Sequence, residues 1–149
     1  MKIFEALRKD HDIQRELLEV IVNTSGDTKT RRNAFESLKN ELFIHEDGEE
    51  RFFYKPLITI DKTQDHARHG IAEHHEIDEI VEKLEETDTD SSAWLKYAKD
   101  LQDKVEHHLE DEEKAIFQLA GKVLSEEEKN NYGKKYKEYI EEHRKYDKD

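Results

Sequence analysis

The sequence predicts an all-α protein: an antiparallel up-down-up-down four-helix bundle with an additional C-terminal helix. Three observations lead there. One proline and five glycines in 149 residues leave few helix breakers, and a makeup rich in Glu, Lys and Leu suits a helical bundle. Apolar residues recur at intervals of three and four through most of the chain, the period of an amphipathic helix. Finally, part of the chain repeats at a fixed interval, with His11 and His74 separated by 63 residues and His45 and His108 by the same 63. After His11, Leu17, Leu18 and Ile21 fall at +6, +7 and +10, and after His74, Ile80, Val81 and Leu84 fall at those same offsets. A two-helix unit repeated in this way closes as a bundle of approximate two-fold symmetry.

The elements follow in order. The first helix is expected from about Lys2 to Val22, with Ile3, Phe4, Leu7, Leu17, Leu18 and Ile21 as its apolar positions. Asn23-Thr24-Ser25-Gly26-Asp27 reads as a turn. The second helix should run from about Thr28 to Lys55 on a stripe of Ala34, Phe35, Leu38, Leu42, His45, Glu49 and Phe52 or Phe53. Gly48 costs that helix about 1 kcal/mol relative to Ala, so a small residue is expected to make room there. Pro56 marks an end or a kink. After a connection at residues 59–63, a third helix is expected over Gln64–Glu86, with Ile71, His74, Ile77, Ile80, Val81 and Leu84 in its stripe. A polar loop, Thr87 to Ser92, leads into a fourth helix over about Ala93–Gly121, carrying Trp94, Leu101, Val105, His108, Glu112, Ile116 and Leu119. Ser125-Glu126-Glu127-Glu128 has the capping-box pattern and starts a more polar helix over about 125–143, placed either over the bundle end or at an interface. Residues 145–149 are expected to fray. The whole is read as one domain, residues 1–149, with the bundle at about 2–121.

Composition narrows the function. Hydrophobic residues are 34%, charged residues 42%, and mean hydropathy is −1.12, a balance that leans toward disorder but is overridden by the helical periodicity. A net charge of −13 argues against nucleic acid and anionic membranes as partners, since both require a basic face. The absence of cysteine excludes disulfides, thiolate zinc sites and cysteine-ligated iron–sulfur clusters. No apolar run approaches a membrane span, and nothing at Met1-Lys2-Ile3 reads as a signal peptide, so a cytoplasmic location is expected. Nine histidines are the unusual count.

The chemistry lies in a stretch present twice, His45-Glu46-Asp47-Gly48-Glu49-Glu50-Arg51 and His108-Leu109-Glu110-Asp111-Glu112-Glu113-Lys114. Both read His-x-x-x-Glu-Glu and then a basic residue. Positions i and i+4 share a helix face, so each copy aims an imidazole and a carboxylate in one direction. A single such pair is ordinarily a solvated helix face. Two in matching context, each with a histidine-bearing helix ahead of it at the same interval, instead bring His11, His45, Glu49, His74, His108 and Glu112 to a shared centre. Imidazole with carboxylate suits iron, manganese and zinc rather than calcium or magnesium. Glu49 and Glu112 can each bridge two cations, so two metals are expected rather than one.

Asp10-His11, His45-x-x-x-Glu49-Glu50, Glu73-His74-His75-Glu76-Ile77 and His108-x-x-x-Glu112-Glu113 resemble the hemerythrin-like family of the HHE cation-binding type, over about Lys2 to Ala120. The resemblance implies an antiparallel four-helix bundle holding two iron ions with an oxo or hydroxo bridge. It also implies His11, His45, His74 and His108 as terminal ligands and Glu49 and Glu112 as bridges, with manganese or zinc as possible substitutes. The sequence departs from the oxygen-carrying members in two places. Four residues before His74, where they carry a further histidine, stands Gly70; where they carry an Asp five residues after the fourth-helix histidine, this chain has Glu112 at +4 and Glu113 at +5. One iron is therefore short of a histidine, with His75, His107, His69, Glu46 or water as candidates for the gap. The alignment of Asp10-His11-Asp12-Ile13 with His74-His75-Glu76-Ile77 also admits His75 in place of His74, though the equal intervals favour His74. Glu50 and Glu113 are expected to orient ligating imidazoles.

These readings imply a non-haem di-iron protein that binds O2 or NO as a binder or sensor, monomeric or homodimeric. The alternative is a protein that turns over peroxide or NO, or that donates iron as in iron–sulfur repair.

Overall fold

Helices account for nearly all of the chain because each has an apolar stripe that only a neighbouring helix can cover. The computed structural model describes residues 1–147, and no strand occurs among them. The elements are α1 (Ile3–Asn23), α2 (Lys29–Glu49), α3 (Lys55–Ile58), α4 (Gln64–Glu86), α5 (Ser92–Asp111), α6 (Phe117–Val123) and α7 (Glu126–Asp147). Two π-helical turns, Glu50–Tyr54 and Glu112–Ile116, join α2 to α3 and α5 to α6, so each pair forms one continuous rod. Around the bundle α1 packs between α2 and α5, and α4 packs on α5 and on the π turn and α3 that end the second rod. The fifth helix, α7, lies on α1, α2 and the first π turn. It continues past the expected end to Asp147; of the residues expected to fray, 148 and 149 lie outside the described ones.

Helix starts follow their side chains. The Thr28 hydroxyl accepts from the Arg31 N–H at 3.2 Å and the Ser91 hydroxyl from that of Trp94 at 3.2 Å. Ser125 and Glu128 form the reciprocal capping box, at 3.0 and 2.8 Å. Trp94 is fully buried beneath the Arg31 guanidinium, 4.5 Å from its ring, and closes the loop end of the bundle.

The core falls into two apolar clusters. One contains Leu18, Ile21, Phe35, Leu38, Leu42, Ile77, Val81 and Leu101; the other contains Leu7, Ile44, Phe53, Ala67, Ile116, Phe117 and residues of α7. In each of the four bundle helices the change from one cluster to the other falls beside a histidine: 11, 45, 74 or 108. A buried polar layer divides an otherwise apolar bundle.

The π turns correct the expected stripes. An i→i+5 turn accommodates one more residue than an α turn, so every inward position beyond it moves on by one. Beyond Glu112 the buried residues are Ile116, Phe117 and Ala120, and Leu119 is only half-buried. Beyond Glu49 they are Phe53, Tyr54 and Leu57, with Phe52 at the margin. Pro56 does not end the second rod. It follows directly on the widened turn, whose last bond runs from the Lys55 N–H to the Glu50 carbonyl.

Candidate metal centre

The four histidines at the boundary of the two clusters come from four helices, and all are at least 97% buried, as are Glu49 and Glu112. Their ligand atoms form two groups. His11, His45, Glu49 and Glu112 each present one atom within 4.8 Å of the others; Glu49, His74 and His108 do the same. The two carboxylates span the groups. Glu49 turns one oxygen to His45 Nε2, 3.5 Å away, and the other to His74 Nε2, 3.0 Å away. Glu112 turns one to His11 Nε2 at 3.0 Å and the other to His108 Nε2 at 3.5 Å. Each position is thus faced by two imidazoles and two carboxylate oxygens.

The opposite nitrogen of every ring is held from outside. His11 Nδ1–H donates to Glu113 at 2.7 Å, His74 Nδ1–H to Glu50 at 2.8 Å, and His108 Nδ1–H to Glu73 at 2.8 Å. His45 Nδ1–H donates to the Tyr136 hydroxyl at 2.6 Å, and that hydroxyl donates to Asp10. Arg15 braces Glu113 at 2.9 Å and Arg144 braces Asp10 at 2.7 Å. This network sets one tautomer on all four rings, with the Nε2 lone pair aimed at the centre. Each consecutive Glu-Glu pair has a divided role that its π turn makes possible: Glu49 and Glu112 point inward, whereas Glu50 and Glu113 reach the outer nitrogen of a ring on a neighbouring helix.

The buried charges perturb one another. Burial opposes the charge on His11, His45 and His74, but the facing carboxylates prevail. Glu112 and Glu113 raise His11, Glu49 and Asp10 hold His45 well above its usual range, and Glu49 with Glu50 brings His74 to about 10. Glu49 is resisted by burial yet lowered by His45 and His74, while burial and the charge of Glu49 raise Glu112. Without a cation, protons hold this cluster together.

A pair of metal ions fits the residues present. His11 Nε2, His45 Nε2, His108 Nε2, one Glu49 oxygen and one Glu112 oxygen are buried without a hydrogen-bond partner, a state costing about 1–3 kcal/mol for each group. Two divalent cations would satisfy them. They would also offset much of the negative charge of Glu49, Glu112, Glu50, Glu73, Glu113 and Asp10, of which Arg15 and Arg144 meet only Glu113 and Asp10.

The six residues expected at the centre come together; the additional candidates do not. His75 is exposed and turned away, which separates it from His74. His107 is exposed and pairs with Asp111 at 3.2 Å. His69 is exposed and lies 3.6 Å from Glu73. Glu46 is buried, with burial and Asp78 raising it to about 9, but it stays outside both ligand groups. The space beside Gly70 belongs instead to Tyr54. A Cβ on Gly70 would lie 2.6 Å from the Tyr54 hydroxyl and ring, and that hydroxyl donates to the Glu112 oxygen that faces His108. Gly48 makes room for α7, since its Cβ would lie 3.1 Å from both Tyr136 and Tyr139. Tyr54 is a core position by spacing, but its bond to Glu112 was hidden by the π turn, and the role of Tyr136 by the 91 residues separating it from His45.

A cavity of about 310 Å³ opens beside the second position and is lined by Tyr54, Gly70, Glu73, His108 and Glu112. Neither His11 nor His45 borders it, so the two positions differ in access.

Among curated proteins nothing matches significantly. The crystal structure of a hemerythrin HHE cation binding domain-containing protein from Mycobacterium kansasii superposes with a TM-score of 0.86 at 21% identity, over 97% of this chain and 88% of that one; the two share a fold. Residues 2–120 match the family described as the hemerythrin HHE cation binding domain. With that match over most of its length, and with histidine and glutamate clusters able to hold cations at its centre, the chain belongs to the hemerythrin HHE cation-binding family.

Proposed function

We propose that the chain holds two iron ions and binds O2 or NO beside the second of them. One observation carries this reading: two buried ligand groups share Glu49, Glu112 reaches from the first group to His108 of the second, and partnerless atoms lie on both sides. His11 and His45 would hold the first ion and His74 and His108 the second, with Glu49 and Glu112 across both. Two nitrogens and two oxygens at each position suit iron, manganese or zinc. Bound iron would supply the redox-active, open coordination position to which a diatomic ligand adds.

The chain's own residues supply the rest. Only the second position borders the cavity, so the small molecule enters there, past Gly70 and Tyr54. The Tyr54 hydroxyl already donates to Glu112 and stands where a donor can meet an incoming ligand. Phe4, Phe53 and Phe117 pack together behind His11, with Phe117 stacked on its ring, and exclude water from the first position. The described helices include none long and apolar enough to cross a membrane.

A second reading is turnover of peroxide or NO, or donation of iron. The cavity favours it, because about 310 Å³ beside the second position leaves room for a substrate larger than a diatomic molecule. Anaerobic ferrous titration followed by admission of air separates the two. Two equivalents and visible bands that vanish when oxygen is withdrawn support reversible binding. Bands that bleach irreversibly while peroxide is consumed support turnover. No specific uptake, with His108→Ala behaving like the parent, refutes both.

A further inference from the structure

We propose that the mouth of the cavity is a third cation site, formed by His69, Glu73 and Asp111, through which metal passes to the buried pair. The passage, though not the site, rests on the di-iron reading above. One ligand atom from each of these residues lies within 4.8 Å of the other two. His69 and Glu73 stand at i and i+4 on α4, and Asp111 is the last residue of α5, facing them across the cavity mouth.

Glu73 is the element that points to a ligand. Its side chain is only 5% exposed, and one oxygen is committed to His108 Nδ1 at 2.8 Å. The other oxygen turns toward His69 Nε2, 3.6 Å away, which is too far for a hydrogen bond. A largely buried carboxylate therefore turns an oxygen without a hydrogen-bond partner to the cavity beside an imidazole, with neither satisfying the other. Asp111 has one rival partner, the exposed His107 at 3.2 Å. An exposed pair of this kind contributes little, so a cation can displace it.

The donor set is one nitrogen and two carboxylate oxygens, with His66 also lining the cavity. That set suits ferrous iron, manganese or zinc, and leaves positions for water. Weak and exchangeable binding is expected because two of the three residues are exposed, His69 at 67% and Asp111 at 52%. Consecutive residues then do different things: Asp111 stands at the mouth and Glu112 in the buried layer. Glu73 joins the two regions directly, holding the ring of a core ligand with one oxygen and facing the mouth with the other. The net charge of −13 raises the local cation concentration around such a mouth.

The test is anaerobic Co²⁺ titration of the full chain and of the His69→Ala/Asp111→Asn double variant, with anomalous diffraction at the cobalt edge and stopped-flow absorbance of core loading. Both substituted side chains are exposed and outside the core, so the variant keeps its fold and its two tight equivalents. The expected parent shows a third, weaker equivalent and an anomalous peak between His69, Glu73 and Asp111. The variant loses that peak and loads the core at least 10-fold more slowly. No third peak in the parent overturns the site, and an unchanged loading rate in the variant overturns the passage. A parent that shows the outer peak but no tight pair upholds the site and refutes the di-iron reading along with the passage.

Discussion

Tyr136→Phe tests whether α7 belongs to the metal centre or merely covers it. The substitution keeps the ring against Gly48 and edge-on to His45, 5.9 Å between centroids, and removes only the hydroxyl. That hydroxyl accepts from His45 Nδ1 at 2.6 Å and donates to Asp10. Without it the nearest alternative acceptor for Nδ1–H is Asp10 at 3.9 Å, beyond hydrogen-bond reach. One buried donor and one carboxylate oxygen are left wanting, which costs about 1–3 kcal/mol, or roughly 3–9 °C in Tm for a chain of this size. Metal affinity should fall about 10–100-fold, the usual effect of losing a ligand's outer partner. The loss should be lopsided. Among the described residues, none of α7 hydrogen-bonds to His74 or His108, whose outer partners are Glu50 and Glu73, so the first equivalent should weaken and the second should not. Chelator competition for two equivalents of Co²⁺, with thermal unfolding of the metal-free protein alongside, measures both quantities. If both equivalents weaken alike, or if neither moves, α7 does not position His45 and the reasoning fails.

Other perturbations have equally distinct signatures. Glu49→Gln removes the carboxylate shared by both ligand groups, so both tight equivalents should disappear together; Glu113→Gln should weaken only the position of His11, by about 10–100-fold. Chelator competition checks each, and retention of either tight equivalent in Glu49→Gln would contradict a shared ligand. Gly70→Ala forces a Cβ to within 2.6 Å of Tyr54. The strain of about 1–3 kcal/mol should cancel or exceed the helix gain of about 1 kcal/mol, and Tyr54 should move off Glu112; a variant stabilised by the full helix gain in urea unfolding would show that Tyr54 is not held there. In the metal-free protein His11, His45 and His74 are raised above their usual value, whereas bound metal requires neutral rings, so uptake at pH 7 should release protons. Their contribution to metal-free stability is complete below about pH 6.5 and is lost as pH rises through about 10 for His74. The gain in Tm on adding Co²⁺ should therefore grow from pH 6 to 9, and calorimetry in buffers of different ionisation enthalpy should show proton release. A pH-independent gain would refute protonation of the empty site.

Much of this was legible because the ligands obey a helical period. His45 with Glu49 and His108 with Glu112 are i,i+4 pairs, and the 63-residue interval singled out His11 and His74 from nine histidines. Their outer partners were harder to assign. Glu73 adjoins His74 in sequence but holds His108, Glu50 adjoins Glu49 but holds His74, and Glu113 holds His11. These pairings cross between helices, and sequence spacing reports only what shares a helix. The role of α7 was hidden for another reason. Its inward residues, Tyr132, Tyr136, Tyr139 and Ile140, are mostly tyrosines, whose polar tips blur the apolar stripe.

The two π turns connect what sequence showed to what it hid. Each lies at a carboxylate that spans the two positions: the first begins immediately after Glu49, and the second begins with Glu112 itself. In an unbroken α-helix Phe53 would follow Glu49 inward and Tyr54 would swing aside; the added residue turns Tyr54 into the layer, over the bare backbone of Gly70. The absent histidine and the inward tyrosine are thus a single feature. An aromatic ring needs the space that a side chain at position 70 would occupy, and the widened turn at residues 50–54 delivers it. The equivalent turn after Glu112 brings in Ile116 and Phe117, which are apolar, and Phe117 seals His11. One repeated backbone device therefore closes the first position and leaves the second lined by a hydroxyl and a cavity. The pseudo-symmetric repeat yields an asymmetric centre through the residue types at 54 and 117.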